Sequence, residues 1–208
     1  MRVKQNHASR PPTGRGAATR ARILEAASDL IYAQGVGRTS LDDVMAASHA
    51  SKSQLYHYFA DKDALVLEVI GRQSERVLEA QRPYLETMDS RGAFKAWRNA
   101  ILRLNKPGLS AGCPLGSLAA ELANESEPAR LRIADAFSLW RERIETGLTR
   151  MQSRGELIPS AKPRDLAFGL LAAFQGGVLL AKTTRSQRPL AIALDMAIDH
   201  VVRHMTVV

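Results

Sequence analysis

Two helix starts lie eleven residues apart, Ser40-Leu41-Asp42-Asp43 and Ser51-Lys52-Ser53-Gln54, and this spacing constrains the fold more than any other feature of the chain. In each, a serine hydroxyl is placed to accept the orphan amide three residues on, and Asp43 or Gln54 can reach back to its serine. Asp42 and Asp43 also suit the positive end of the first of these helices. The helices so started are short, about 41–47 and 52–59, and Ser48-His49-Ala50 joins them. A longer helix precedes them from about Ala18, on which Ile23, Ala27, Leu30 and Ile31 recur at helical spacing until Gly35 and Gly37 stop it. A first helix followed by two short ones across a tight turn is the pattern of a helix-turn-helix.

Beyond this segment the spacing stays helical, and nothing alternates well enough for a strand. Asp61 caps a fourth helix over about 62–82, with Pro83 expected to end or kink it. A fifth follows over about 91–104, closed by Lys106-Pro107-Gly108, and Pro114 opens a sixth that reaches about Ala123. Pro128 opens a seventh, whose stripe of Leu131, Phe137, Trp140, Ile144, Leu148 and Met151 reads as its buried face until Gly155. Pro163 and Pro189 mark the last two, about 164–183 and 189–205. The expectation is an all-α chain of about nine helices, with a flexible basic arm over 1–17, a three-helix helix-turn-helix domain over 18–62 and a helical body over 63–208. The most apolar stretch, 166–181, is interrupted by Gln175 and two adjacent glycines. It falls short of the ~20 residues that cross a bilayer and reads as a buried helix, with no membrane partner expected.

Charge narrows the partners. The formal net charge is +8, and Arg2, Lys4, Arg10, Arg15, Arg20 and Arg22 all precede the first acid, Glu25. Residues 1–62 hold nine basic and five acidic side chains, so the first third of the chain carries half the net charge and is the candidate polyanion-binding part. The Pro-, Gly- and Arg-rich opening to about Gly16 fits a solvated tail or an arm inserted into a minor groove. The polar segment Met1–Pro12 has no apolar core of a secretory signal, and the single cysteine, Cys113, cannot form an internal disulfide. Both features fit a cytoplasmic protein.

The second short helix carries the reading face. Ser51, Lys52, Ser53 and Gln54 in its first turn can reach base edges and phosphates, and Tyr56 and His57 follow as hydrogen-bonding groups, with a core position as the alternative for Tyr56. Leu55, Tyr58 and Phe59 read as core. The run Thr39-Ser40-Leu41, then Ser51-Lys52-Ser53-Gln54-Leu55-Tyr56-His57-Tyr58-Phe59 and Asp61-Lys62, resembles the signature of the TetR family. The resemblance implies a homodimeric transcriptional regulator, typically a repressor, bound to a palindromic double-stranded operator. It implies phosphate contacts from Thr39, Ser51, Tyr56, His57 and Lys62, with the start of the third helix on the bases, and Ser40 is a further candidate for binding DNA. The family usually has Gly where this chain has His49, so a positive φ there would strain a residue that has a Cβ.

The remaining residues resemble the ligand-binding and dimerisation body of that family. Through Gly112-Cys113-Pro114-Leu115-Gly116 and Gln175-Gly176-Gly177 they resemble more narrowly a branch with multidrug- and flavonoid-responsive repressors. A small-molecule effector of open identity is expected in an apolar cavity among Trp97, Ile101, Leu118, Phe137, Trp140 and Phe174, each of which is otherwise an ordinary core residue. The fourth helix would link this body mechanically to the DNA reader. Gln175, a lone amide in an apolar stretch, needs a partner, which is an effector, a backbone group or its two-fold mate. Gly169, Gly176 and Gly177 suggest close helix approach, fitting a dimer seam built from the last two helices. Cys113 is either a small buried residue at a tight helix start or, at the N-cap before Pro114, a low-pKa thiolate that senses oxidants or electrophiles.

No cofactor, metal or catalytic set is expected. His200 and His204 have the spacing of a metal pair without an acid or cysteine to complete it, Gly35-x-Gly37 lacks a preceding strand, and no Walker sequence occurs. The competing classes are a cysteine-dependent helical enzyme and a nonspecific DNA-packaging protein. Selective binding to one palindrome separates all three.

Overall fold

A computed structural model describes residues 14–106 and 112–206, and they form α-helices joined by turns. In chain order these are α1 Gly14–Gln34, α2 Leu41–Ser48, α3 Lys52–Tyr58, α4 Lys62–Glu86, α5 Arg91–Leu104, α6 Pro114–Leu122, α7 Glu127–Ser153, α8 Pro163–Thr184 and α9 Arg188–Arg203. Among the described residues the one β feature is an isolated antiparallel bridge between Leu157 and Met205. Most of the expected arm, and Pro107 and Gly108 after the fifth helix, lie outside the described residues. The chain divides into two compact units between Leu65 and Val66.

In the first unit α1 packs on α2 and α3. Ile23, Ala27 and Ile31 from α1 meet Val44, Ala50, Leu55 and Phe59 in a core whose members are all nearly or fully buried. Burial of the Leu55 and Phe59 side chains stabilises the unit by about 1.5–3 kcal/mol each. Helix α1 starts at Gly14, earlier than the expected Ala18. Thr19 accounts for the extra turn, since its buried hydroxyl donates to the Arg15 carbonyl at 3.1 Å and ties that turn to the helix. Arg15, Gly16 and Ala17 are therefore helical rather than part of an arm.

In the second unit α8 packs chiefly on α9 and α7, α9 also meets α5, and α6 lies on α7. Helix α4 runs on through Pro83 to Glu86 instead of ending there. The proline ring is exposed, while Leu85 and Met88 just beyond it are 4% and 0% exposed. Burying those two side chains, worth about 1.5–3 kcal/mol each, offsets the ~3 kcal/mol cost of an interior proline. The α7 stripe also differs from expectation at Leu131, which is 50% exposed. Nine residues at about 100° each place Leu131 half a turn away from Trp140, and Ala129, Ile133 and Ala136 occupy the buried face in its place. Helix α8, at 22 residues, is longer than expected and by length and composition could cross a membrane. Its Leu166, Ala167, Leu170, Leu171, Phe174, Gly177, Val178 and Ala181 are buried within the unit, as in the core helix of a helical domain.

Two close backbone approaches set this packing. A Cβ on Gly147 of α7 would stand 1.9 Å from the Met88 carbonyl oxygen, and one on Gly177 of α8 would stand 2.9 Å from the Leu190 Cα of α9. Gly169 and Gly176, expected to serve the same purpose, face open space within the protomer.

Candidate functional site: a nucleic-acid reader and a cleft in the body

Both short helices of the first unit carry complete capping boxes. The Ser40 hydroxyl accepts from the Asp43 amide at 3.1 Å while the Ser40 amide donates to the Asp43 carboxylate at 2.9 Å. The Ser51 hydroxyl accepts from the Gln54 amide at 3.2 Å, and the Gln54 side-chain oxygen accepts from the Ser51 amide at 2.9 Å. The Ser40 hydroxyl also donates to Asp43, whose carboxyl pKa is held below its usual range by these bonds.

The turn between the helices is a Schellman-type close. His49 takes φ 50° and ψ 36°, with its amide donating to the Ala46 carbonyl and the next amide, of Ala50, donating to that of Met45. The positive φ expected at His49 is thus present. Arg22 of α1 adds a clamp that went unforeseen: its Nε donates to the buried Ser48 carbonyl at 2.6 Å. Arg20 lies 5.4 Å over the Phe59 ring. Two of the six N-terminal cations are therefore used to hold the reader together.

With α2 and α3 fixed in this way, Ser51, Lys52, Ser53 and Gln54 at the first turn of α3 are exposed, followed by Tyr56 and His57. Tyr56 is 47% exposed, which excludes the core alternative. His57 packs against the edge of Tyr58, itself half-buried. Lys62, at the first residue of α4, donates through Nζ to the Val36 carbonyl at 2.8 Å and keeps two further hydrogens for an acceptor. Thr39 departs from its expected place. It is 2% exposed, with its hydroxyl donating to the Gly35 carbonyl at 2.8 Å and accepting from Gln34 at 3.3 Å, so its side chain braces the α1–α2 turn instead of facing a phosphate.

In the body, the aromatic candidates form one buried cluster. Phe174 stands 5.0 Å from the Trp140 ring and 6.5 Å from Trp97, and Trp97 Nε1 donates to Gln81 at 2.9 Å. Trp97, Ile101, Leu118, Trp140 and Phe174 are all at most 4% exposed, and Phe137 is half-buried. They are packed core. Trp140 Nε1 has no hydrogen-bond partner among the described residues, a buried donor left unmatched.

Cys113 and Gln175 come together elsewhere, in a half-open cleft of about 710 Å³ between α6 and α8. Its walls are Gly112, Cys113, Gly116, Ser117, Ala120 and Glu121 on one side and Gln175, Gly176, Val178, Leu179, Lys182 and Thr183 on the other. Gln175 Nε2 donates to Cys113 Sγ at 3.4 Å, while its Oε1 lies where a Gly116 Cβ would come within 2.8 Å. Gly116 is thus the residue that admits the amide. Cys113 does occupy the N-cap of α6, ahead of Pro114 at N1. The low-pKa thiolate is nevertheless overturned: burial pushes the thiol pKa up, and the bonds from Gln175, Gly116 and Leu115 that lower it do not compensate. That environment is the reverse of an activated nucleophile's. Lys182 and Gly116 were missed from sequence, although Gly116, three residues beyond Cys113, marks a bare place in the first turn of α6. Among the described residues no three His, Cys, Asp or Glu gather as a metal site; His200 and His204 meet ring to ring at 4.7 Å.

A braced helix-turn-helix with a row of exposed donors, in a chain with a larger helical body, defines a DNA-binding transcriptional regulator. Residues 23–69 match the family model of bacterial regulatory proteins, tetR family, and residues 91–197 match that of the tetracyclin repressor-like C-terminal domain. The HTH-type transcriptional regulator LmrA of Bacillus subtilis is 27% identical over 175 residues, covering 83% of this chain and 90% of that one. The HTH-type transcriptional regulator Mb3439c of Mycobacterium bovis is 32% identical over 152 residues, 62% of this chain and 75% of its own. The crystal structure of a TetR transcriptional regulator from Chloroflexus aurantiacus superposes with a TM-score of 0.79 at 26% identity, over 94% of this chain and all of that one. The chain belongs to the TetR family of DNA-binding transcriptional regulators.

Proposed function

We propose that the protein is a homodimeric repressor of a palindromic operator, released from it by a small molecule bound in the body. The observation that carries this reading is an uncovered apolar face on α8 and α9. Leu180, Ile192 and Met196 are 54, 48 and 69% exposed, beside Gly169 and Gly176, whose backbones stand open. Soluble protomers rarely leave such a contiguous face in water, and a two-fold copy of the same two helices would cover it as a four-helix bundle. A dimer carries two α3 helices, which suits a palindrome whose half-sites lie about 34 Å apart.

On each half-site, Ser53 and Gln54 read base edges, while Ser51, Lys52, Tyr56, His57 and Lys62 hold phosphates. Thr39 and Ser40 act by positioning, because their hydroxyls are already engaged inside the fold. The α6–α8 cleft receives the effector, and the aromatic cluster behind it transmits the change through packing. A coupling of about 1–3 kcal/mol lowers operator affinity several-fold to a hundredfold.

Selection from randomised duplex DNA is expected to return a palindrome, and light scattering at micromolar concentration a dimer. A monomer, or an enriched site without two-fold symmetry, would refute this function.

A further inference from the structure

Along α8, Gln175, Val178, Leu179 and Lys182 follow one another at helical spacing and all line the cleft. The seven residue steps from Gln175 to Lys182 rise by about 10.5 Å, so the wall runs from an amide, across aliphatic carbon, to an ammonium. The segment 112–116, which enters α6 at Pro114, runs against it in the opposite sense. Gly116 faces Gln175, whereas Gly112 faces Lys182, whose Cδ and Nζ lie 3.4 and 3.6 Å from the place a Gly112 Cβ would take.

The two ends differ in charge. Among the described residues no carboxylate pairs with Lys182. Glu121, the one acid lining the cleft, stands in the last turn of α6, five residues beyond the Gly116 that faces Gln175. Gln175 gives one hydrogen to the Cys113 sulfur and keeps the second amide hydrogen. A volume of about 710 Å³ suits a small molecule and not a peptide helix.

We propose that the α6–α8 cleft selects a flat, largely apolar acid, with its carboxylate on Lys182 and a hydroxyl or carbonyl on Gln175 at the other end of a ring system about 10 Å long. The aliphatic walls of Ala120, Val178 and Leu179 hold the ring faces. This class of ligand rests on the proposed effector function and is tested apart from it.

The probe is 6-hydroxy-2-naphthoate, compared with its methyl ester, which removes the charge, and with 2-naphthoate, which removes the hydroxyl. Binding to the full-length protein is followed by the probe's own fluorescence. The acid is expected to bind about three- to fivefold more tightly than the ester, the range of a solvent-facing ion pair, and Lys182→Met should abolish that preference. Lys182→Glu should reverse it. The hydroxyl should contribute about two- to tenfold, lost in Gln175→Leu. Should that variant unfold, Gly116→Ala, which forces the amide aside, tests the same contact.

Equal binding of acid and ester, a preference that survives Lys182→Met, or no binding by any of the three would overturn the proposal. Operator release is measured in parallel. Release by the ester with no acid preference refutes the acid class and leaves the effector function standing. Lys182-dependent binding of the acid without release establishes the ligand class and refutes the effector function.

Discussion

Adjacent glycines in α8 are expected to respond in opposite ways to the same added methyl group. A Cβ at Gly177 would lie 2.9 Å from Leu190 Cα, 3.0 Å from Leu190 Cδ1 and 3.3 Å from Ala193 Cβ. Carbon–carbon contact is most favourable at about 3.5–4.0 Å, so the first turn of α9 must retreat by somewhat under 1 Å. Leu190 is fully buried and its backbone cannot swing aside as a side chain can. Overpacking of this kind costs about 1–3 kcal/mol, against a gain of about 0.5–1 kcal/mol for replacing glycine by alanine within a helix. With backbone as the obstacle the cost falls in the upper half of that range, about 2–3 kcal/mol, so Gly177→Ala should lose about 1–2.5 kcal/mol, or roughly 2–10 °C in Tm for a chain of this length. At Gly176 nothing lies within 4 Å, so the protomer should keep the whole helical gain. If two copies close over this face, the same methyl group crowds the seam and weakens the dimer. Urea unfolding at several protein concentrations, with light scattering, separates protomer stability from association. Wild-type stability in Gly177→Ala would refute the α8–α9 packing. A tighter dimer in Gly176→Ala would remove this face from the seam.

Three further outcomes test the reader and the cleft. His49→Gly, which relieves a left-handed Cβ, should leave stability unchanged or raise it by up to about 1 kcal/mol in thermal melts, and a loss would show that the turn is unstrained. Lys62→Met should weaken all duplexes alike by anisotropy and lower the salt slope by about 1, whereas Gln54→Glu keeps the capping box, and so stability, while impairing the selected operator most; matching profiles for the two would defeat the assigned roles. Cys113 should be alkylated by iodoacetamide with a midpoint above that of an ordinary thiol, since burial raises its pKa. The unfolded chain loses that proton first, so the thiol's contribution to stability is intact below the ordinary thiol value and declines as pH rises through it; a low midpoint, or an unchanged alkaline slope in Cys113→Ser, contradicts this.

The reader was legible because its determinants are local. A capping box joins residues three apart, and both serines carry their partners within one turn of chain. The positive φ at His49 was legible in another way, from the glycine that the family usually carries at that turn. Misreadings arose where burial overrode local preference. Pro83 ought to stop a helix, but Leu85 and Met88 hold the next turn in the core. Leu131 is as apolar as the rest of its stripe and yet exposed, because it stands half a turn from Trp140 on α7. Thr39 looked available to DNA, and only the fold shows that its hydroxyl is enclosed by Gly35 and Gln34.

The sign of the Cys113 perturbation shows where local inference stops. From the motif alone, an N-cap position, a following proline and free amides all favour a thiolate, and the structure retains those features. What the motif omits is the material that covers the sulfur. Gln175 reaches it from 62 residues away, and it can do so because Gly116 offers no Cβ to exclude the amide. Desolvation then outweighs the local donors, and the thiol stays neutral. Gly112-Cys113-Pro114-Leu115-Gly116 and Gln175-Gly176-Gly177 are consequently two halves of one construction: the first supplies a bare helical face, the second an amide to lie on it and a glycine to bring α9 close behind. A neutral sulfur also leaves Glu121 as the one acid lining the cleft among the described residues, with no ion pair to Lys182, so an acid entering there meets an ammonium and no repelling thiolate.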